Sequence, residues 1–171
     1  SIDLSYDERK ILVGSSFLHG ANSLLTWDVP QAQKLSDIDT ERTATLFARY
    51  FPDARQALIL TGRPRVLSIR ELDTGNVLAT FDGGTGEIAS VSANEDCRRA
   101  VVGWRDGTVK VIDTASMSVV KECMSHDDAV KFAAMAPDGA FAVTATSKEL
   151  RVHRLPTLPL PDGQQKVVQI E

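Results

Sequence analysis

Gly103-Trp104-Arg105-Asp106-Gly107-Thr108-Val109-Lys110-Val111-Ile112-Asp113 reads as the end of one strand, a tight turn and a complete second strand. Asp106-Gly107 is the strongest hairpin signal in the chain, because a two-residue turn of the I′ type needs positive φ at both central positions. The strand after the turn has counterparts on either side of it. Ser23-Leu24-Leu25-Thr26-Trp27-Asp28, Val66-Leu67-Ser68-Ile69-Arg70-Glu71 and Glu149-Leu150-Arg151-Val152-His153-Arg154 join it in a series with steps of 43, 42 and 41 residues. Periods of about 40 to 45 residues with several short strands each are expected of propeller blades, small sheets that bury their faces only against neighbours. The reading is therefore all-β, with about four four-stranded blades over residues 1–43, 44–86, 87–128 and 129–171.

Within the first unit, Ile2–Ser5, Lys10–Gly14 and Leu24–Val29 read as strands, and residues 15–22 as an enlarged loop tipped by Phe17, Leu18 and His19. Loops longer than their equivalents elsewhere are candidate contact elements. The second unit places strands at Ala44–Arg49, Ala57–Thr61, Val66–Leu72 and Val77–Phe81, with a turn at Asp73-Thr74-Gly75-Asn76. Ile88–Ser92, Ala100–Trp104, Val109–Asp113 and Ser118–Cys123 make the third unit, and Val130–Met135, Phe141–Ala145 and Leu150–Leu155 the fourth. The proline-rich stretch from Pro156 to Gly163 reads as an extended connection, after which Lys166–Ile170 regains strand character and supplies a fourth strand.

The terminal strands and turns resemble the WD-repeat family of β-propellers. Trp27-Asp28 copies the family's terminal dipeptide, unit three has its turn-then-strand pattern, and Ser125-His126 stands where the family has Gly-His. The resemblance implies a buried set of Asp, His, Ser or Thr, and Trp in each blade, and no unit carries it whole. Unit three has Trp104 where a hydroxyl belongs and Ile112 in place of Trp. Unit four has His126 and Thr146, but His153 replaces Trp, and Ser147-Lys148-Glu149 lacks the turn Asp. The expectation is a divergent propeller held mainly by apolar packing. Family propellers usually close with seven or eight blades. Four units, opening on Ser1 beside a strand, therefore read as an excerpt of a larger ring, completed by further blades of the same or another chain.

The chain has 171 residues, 43% of them apolar and 25% charged, which suits one folded domain. A net charge of −4 disfavours general nucleic-acid or anionic-membrane binding. Cys97 and Cys123 form neither a disulfide framework nor a Cys-x-x-Cys pair, so an intracellular, reducing compartment is expected. No apolar run reaches membrane-spanning length. Asp82-Gly83-Gly84-Thr85-Gly86-Glu87 joins two strands and lacks the helix N-terminus and Lys of a phosphate loop, so no nucleotide, cofactor or metal is expected. His19, His126 and His153 lie too far apart in sequence for a local metal motif.

Function is then expected at a loop face shared by Phe17, His19, Asn22, Arg63, Arg65, Trp104, Arg105, Asp106, His126 and Lys148. Exposed Trp and Arg combine apolar area with directed donors, so Trp104-Arg105 is the expected anchor, with Arg63-Pro64-Arg65 suited to a carboxylate or phosphate. Family analogy points to a non-catalytic interaction or scaffold domain that presents this face to a protein or peptide partner within a larger complex. The alternatives are an autoinhibitory or sensor propeller attached to a nucleotide-driven oligomerising module, and an enzyme with its active site at the central opening.

Overall fold

The computed structural model describes residues 1–15, 23–40, 43–63, 65–84 and 86–156. Short alternating segments separated by Gly, Pro, Asp and Asn form fifteen antiparallel strands and no helix among these residues. β1 (Ile2–Leu4), β2 (Lys10–Gly14), β3 (Ser23–Asp28) and β4 (Gln33–Asp39) make sheet one. β5 (Thr45–Tyr50), β6 (Gln56–Thr61), β7 (Leu67–Glu71) and β8 (Val77–Thr80) make sheet two, and β9 (Ile88–Ala93), β10 (Arg99–Trp104), β11 (Val109–Asp113) and β12 (Ser118–Glu122) make sheet three. Sheet four contains β13 (Phe132–Met135), β14 (Phe141–Ala145) and β15 (Leu150–Arg154). Each sheet is a meander in sequence order, so every pairing is local.

The same turn closes the first hairpin of every sheet. The amides of Ser5, Phe51, Asn94 and Ala136 donate to the carbonyls of Lys10, Gln56, Arg99 and Phe141 respectively. Glu8, Ala54, Cys97 and Gly139 occupy the left-handed region in these turns, with φ of 58°, 51°, 56° and 69°. These hydrogen bonds fix which positions correspond from one sheet to the next.

Because side chains alternate across a strand, each sheet has two faces, and three clusters show how they mate. Leu12, Leu24 and Ile38 of sheet one pack on Ala48, Tyr50, Ala57 and Ile59 of sheet two. The opposite face of sheet two, Leu58, Leu60, Leu67 and Ile69, packs on Val91, Ala93, Ala100, Val102 and Ile112 of sheet three. Val101, Val109 and Val111 on the other side of sheet three meet Val130, Ala142 and Leu155. Each sheet thus turns a back towards the front of the next. Side chains at a first strand clamp the first-strand amides of the next sheet at two of the three junctions. Ser1 Oγ and Asp3 Oδ2 accept the amides of Ala48 and Tyr50 at 3.0 and 2.8 Å. Ser90 Oγ and Ser92 Oγ accept those of Ala133 and Met135 at 2.9 and 3.1 Å.

Three local expectations need correction. Asp106-Gly107 does not form a I′ turn: only Gly107 has positive φ, at 89°, and the Trp104 amide donates to Thr108 O. The turn is a three-residue loop whose last residue supplies the left-handed step. β4 did not stand out in the sequence because it is an outer strand, mostly solvated, with only Ile38 buried as an apolar anchor. Sheet four begins at Phe132 rather than Val130, whose amide donates to Trp104 O in sheet three. The proposed strand Lys166–Ile170 lies outside the described residues.

Candidate functional site: an arginine cleft on one rim

Arg63 and Arg65 lie in the connection between β6 and β7, and Arg105 in the turn between β10 and β11. Glu87 precedes β9. The fold brings these four residues and Gly62 together around an open cleft of about 400 Å³. Glu87 is its centre: Oε1 accepts from Arg65 Nε at 2.9 Å and Oε2 from Arg105 Nε at 2.9 Å. The backbone reinforces this placement, since the Arg105 amide donates to Glu87 O at 3.0 Å. Arg65 also donates through Nη1 to the Ile88 carbonyl, and is mostly covered. Arg105 is largely exposed, with donors of its planar fork still facing solvent. Arg63 is exposed as well. Three arginines and one glutamate lining the cleft leave a local excess of positive charge on a chain whose net charge is −4.

Trp104 is not an exposed anchor. It is 2% accessible, at the end of β10, with the Phe81 ring 6.3 Å away at 54° and Lys110 Nζ 5.9 Å from its own ring centre. The glycine-rich loop accounts for its burial, because a Cβ on Gly84 would stand 2.7 Å from the indole Nε1. Glycine there lets the backbone lie on the ring. Asp106 is exposed, and its carboxylate accepts the Thr108 amide at 2.9 Å, which holds its pKa below the ordinary carboxylate value. Lys148 pairs with Asp128 at 3.1 Å and does not line the arginine cleft. Phe17, His19 and Asn22 lie outside the described residues.

His126 is buried too, and it is part of a polar chain that the sequence reading judged to be eroded. Its Nδ1 lies 2.6 Å from Glu149 Oε1 and its Nε2 2.7 Å from Thr144 Oγ1. The same hydroxyl lies 2.7 Å from His153 Nε2. His126 donates through Nδ1 to the Glu149 carboxylate, and Thr144, with one hydroxyl proton, donates to one ring and accepts from the other. Arg151 Nε donates to Glu149 Oε2 at 3.1 Å and completes the set. The hydroxyl is Thr144 and not Thr146, whose Oγ1 accepts the Lys148 and Glu149 amides in the turn. Sheet four is therefore held by a satisfied polar relay as well as by apolar packing. The hydrogen bond from His126 holds the Glu149 carboxyl below its usual range, and burial followed by the nearby His126 lowers the pKa of His153.

A second hollow of about 250 Å³ lies at the first-hairpin turns, between Tyr6, Arg49, Phe51 and Glu95. Both cysteines are free thiols, and burial pushes Cys97 up to about 12. Among the described residues no three His, Cys, Asp or Glu side chains are grouped to hold a metal, and no helix is long and apolar enough to cross a membrane. Glu87, the organising residue of the cleft, was not singled out in the sequence. Its signal was a carboxylate bordering the glycine loop, just before the first strand of its unit.

The chain matches no family model, and no curated protein matches it.

Proposed function

We propose that the chain is a WD-like propeller segment and a non-catalytic docking domain, which presents the arginine rim to an acidic segment of a protein or peptide partner. The observation that carries this reading is the pairing of Arg65 and Arg105 with Glu87 in an open cleft that Arg63 also lines. Arg65 and Glu87 are the fixed part, because each is tied to backbone or to a second ion pair. Arg105 and Arg63 are the presenting part, with fork donors that match a carboxylate in two parallel hydrogen bonds. The meander of repeated sheets and the relay at His126, Thr144, His153 and Glu149 support the WD-like reading.

Fluorescence anisotropy with a labelled Asp/Glu-rich peptide tests the rim. Arg63→Glu combined with Arg105→Glu should weaken binding by about tenfold or more, since charge-assisted contacts are each worth roughly 1.5 kcal/mol or more. The wild-type affinity should also fall with added salt. An affinity unchanged by the double substitution would remove the rim from the binding surface.

A further inference from the structure

Glu87 uses only part of what the rim arginines offer. Its two oxygens take the Nε groups of Arg65 and Arg105, each at 2.9 Å, and Arg65 Nη1 is held by the Ile88 carbonyl. Among the described residues nothing pairs with the Nη groups of Arg105 or with the guanidinium of Arg63. Glu87 therefore holds Arg105 by one edge and leaves its terminal fork to a ligand. Both free forks belong to residues lining the same hollow of about 400 Å³, where three arginines stand against one glutamate. The surplus is two positive charges.

Charge and acceptor number decide which ligand can use them. A carboxylate brings two oxygens and one negative charge, so a single arginine fork occupies it and half of the surplus remains. A phosphomonoester carries about −1.5 to −2 at pH 7 and three acceptor oxygens, enough to receive two forks and to cancel the surplus. The positive charge is also confined to the hollow. With a net charge of −4 on the chain, a nucleic acid or an anionic bilayer meets repulsion beyond the cleft, whereas one phosphate on a peptide does not.

We infer that the occupant of the arginine cleft is a phosphorylated side chain in the acidic segment of the partner, received by the forks of Arg63 and Arg105. Phosphorylation of the partner then turns weak docking into firm docking. The inference rests on the reading of the rim as a docking face for acidic peptides, and names the group that this face selects.

Fluorescence anisotropy on the 171-residue chain tests it, with one labelled Asp/Glu-rich peptide made with serine, glutamate or phosphoserine at its centre. At about pH 7.5 the phosphoserine form should bind about tenfold or more tighter than the glutamate form. The margin should shrink towards about pH 5.5, because the phosphate, with a second pKa of about 6, takes up a proton. Arg63→Lys with Arg105→Lys keeps the charge and removes the forks, and should cut the margin to about twofold. Circular dichroism should be the same for both chains, so a lost margin is not a lost fold.

Equal affinity for the glutamate and phosphoserine forms overturns the inference and leaves the acidic docking face standing. A margin undiminished at about pH 5.5, or undiminished in the lysine chain, overturns it as well. So does single-stranded DNA competing as well as the phosphoserine peptide, since the phosphate would then belong to a nucleic acid. Binding of none of the three peptides overturns the inference and the docking reading together.

Discussion

Thr144 has one hydroxyl proton between two buried imidazoles and can donate it to only one of them. His153 has its pKa lowered below 6.5 by burial first, then by His126, Lys121 and Arg151. A folded-state pKa lower than the unfolded one means that, as pH falls below about 6.5, the unfolded chain takes up a proton the folded chain refuses. Stability should therefore decline from there to the folded value. Glu149 acts later and in the same direction: its pKa is lowered below 4.5, so its contribution is present above that value and lost as pH falls through the folded one. His153→Phe should accordingly flatten the loss of urea midpoint between about pH 7 and about pH 5.5, while leaving the steeper loss at lower pH. An unaltered slope in that interval would show that His153 does not carry it. This relay was only half legible in the sequence. His126 and His153 stood out, but Thr144 and Thr146 are two residues apart and share one face of the strand pattern. Only the turn at Ser147-Lys148 decides that Thr146 caps it and Thr144 faces the rings.

The strands were legible wherever a face is apolar and buried: β2 and β14 fall on their expected bounds because Leu12 and Ala142 are buried between more open neighbours, and β11 because Val109, Val111 and Ile112 bury both of its faces. Turn geometry was less so, since a residue pair does not reveal how many residues the turn will use. Gly107 and Gly75 both have positive φ, at 89° and 78°, yet they meet different surroundings. A Cβ on Gly107 would stand 2.1 Å from the His126 carbonyl oxygen, fixed backbone that also carries the connection into sheet four. At Gly75 the nearest atom is Ile38 Cγ2 at 2.9 Å, the end of a side chain. Gly107→Ala should cost about 3 kcal/mol or more in urea unfolding, and Gly75→Ala about 1 to 2 kcal/mol. Equal losses would mean that the left-handed backbone alone sets the cost and the carbonyl contact adds nothing. The Trp104 anchor failed for a related reason. A Trp beside an Arg in a turn reads as exposed, and only the fold shows the glycine loop lying across its ring.

At the scale of the molecule, stability is passed between neighbours, because each apolar cluster of the described residues joins one sheet to the next in sequence. In such an array protection depends on how many faces of a sheet are covered, as well as on hydrogen bonds within it. Ala57, Leu58 and Ile59 in β6, and Ala100, Val101 and Val102 in β10, are wholly buried with a sheet on either side. Among the described residues β1 and β15 belong to sheets packed on one face only, and β15 has no fourth strand beside it. The period of the sequence was enough to count the sheets, but it carries no information on which faces stay open, since Ile2 and Val91 are equally apolar. Amide hydrogen exchange makes the distinction. In dilute solution the amides of β6 and β10 should exchange slowest. Those of β1 and β15 should be faster by about two orders of magnitude or more, corresponding to openings cheaper by roughly 3 kcal/mol. A monomer with equal protection in all four sheets would mean that they unfold only together, and stability would then have to be assigned to the chain as one cooperative body.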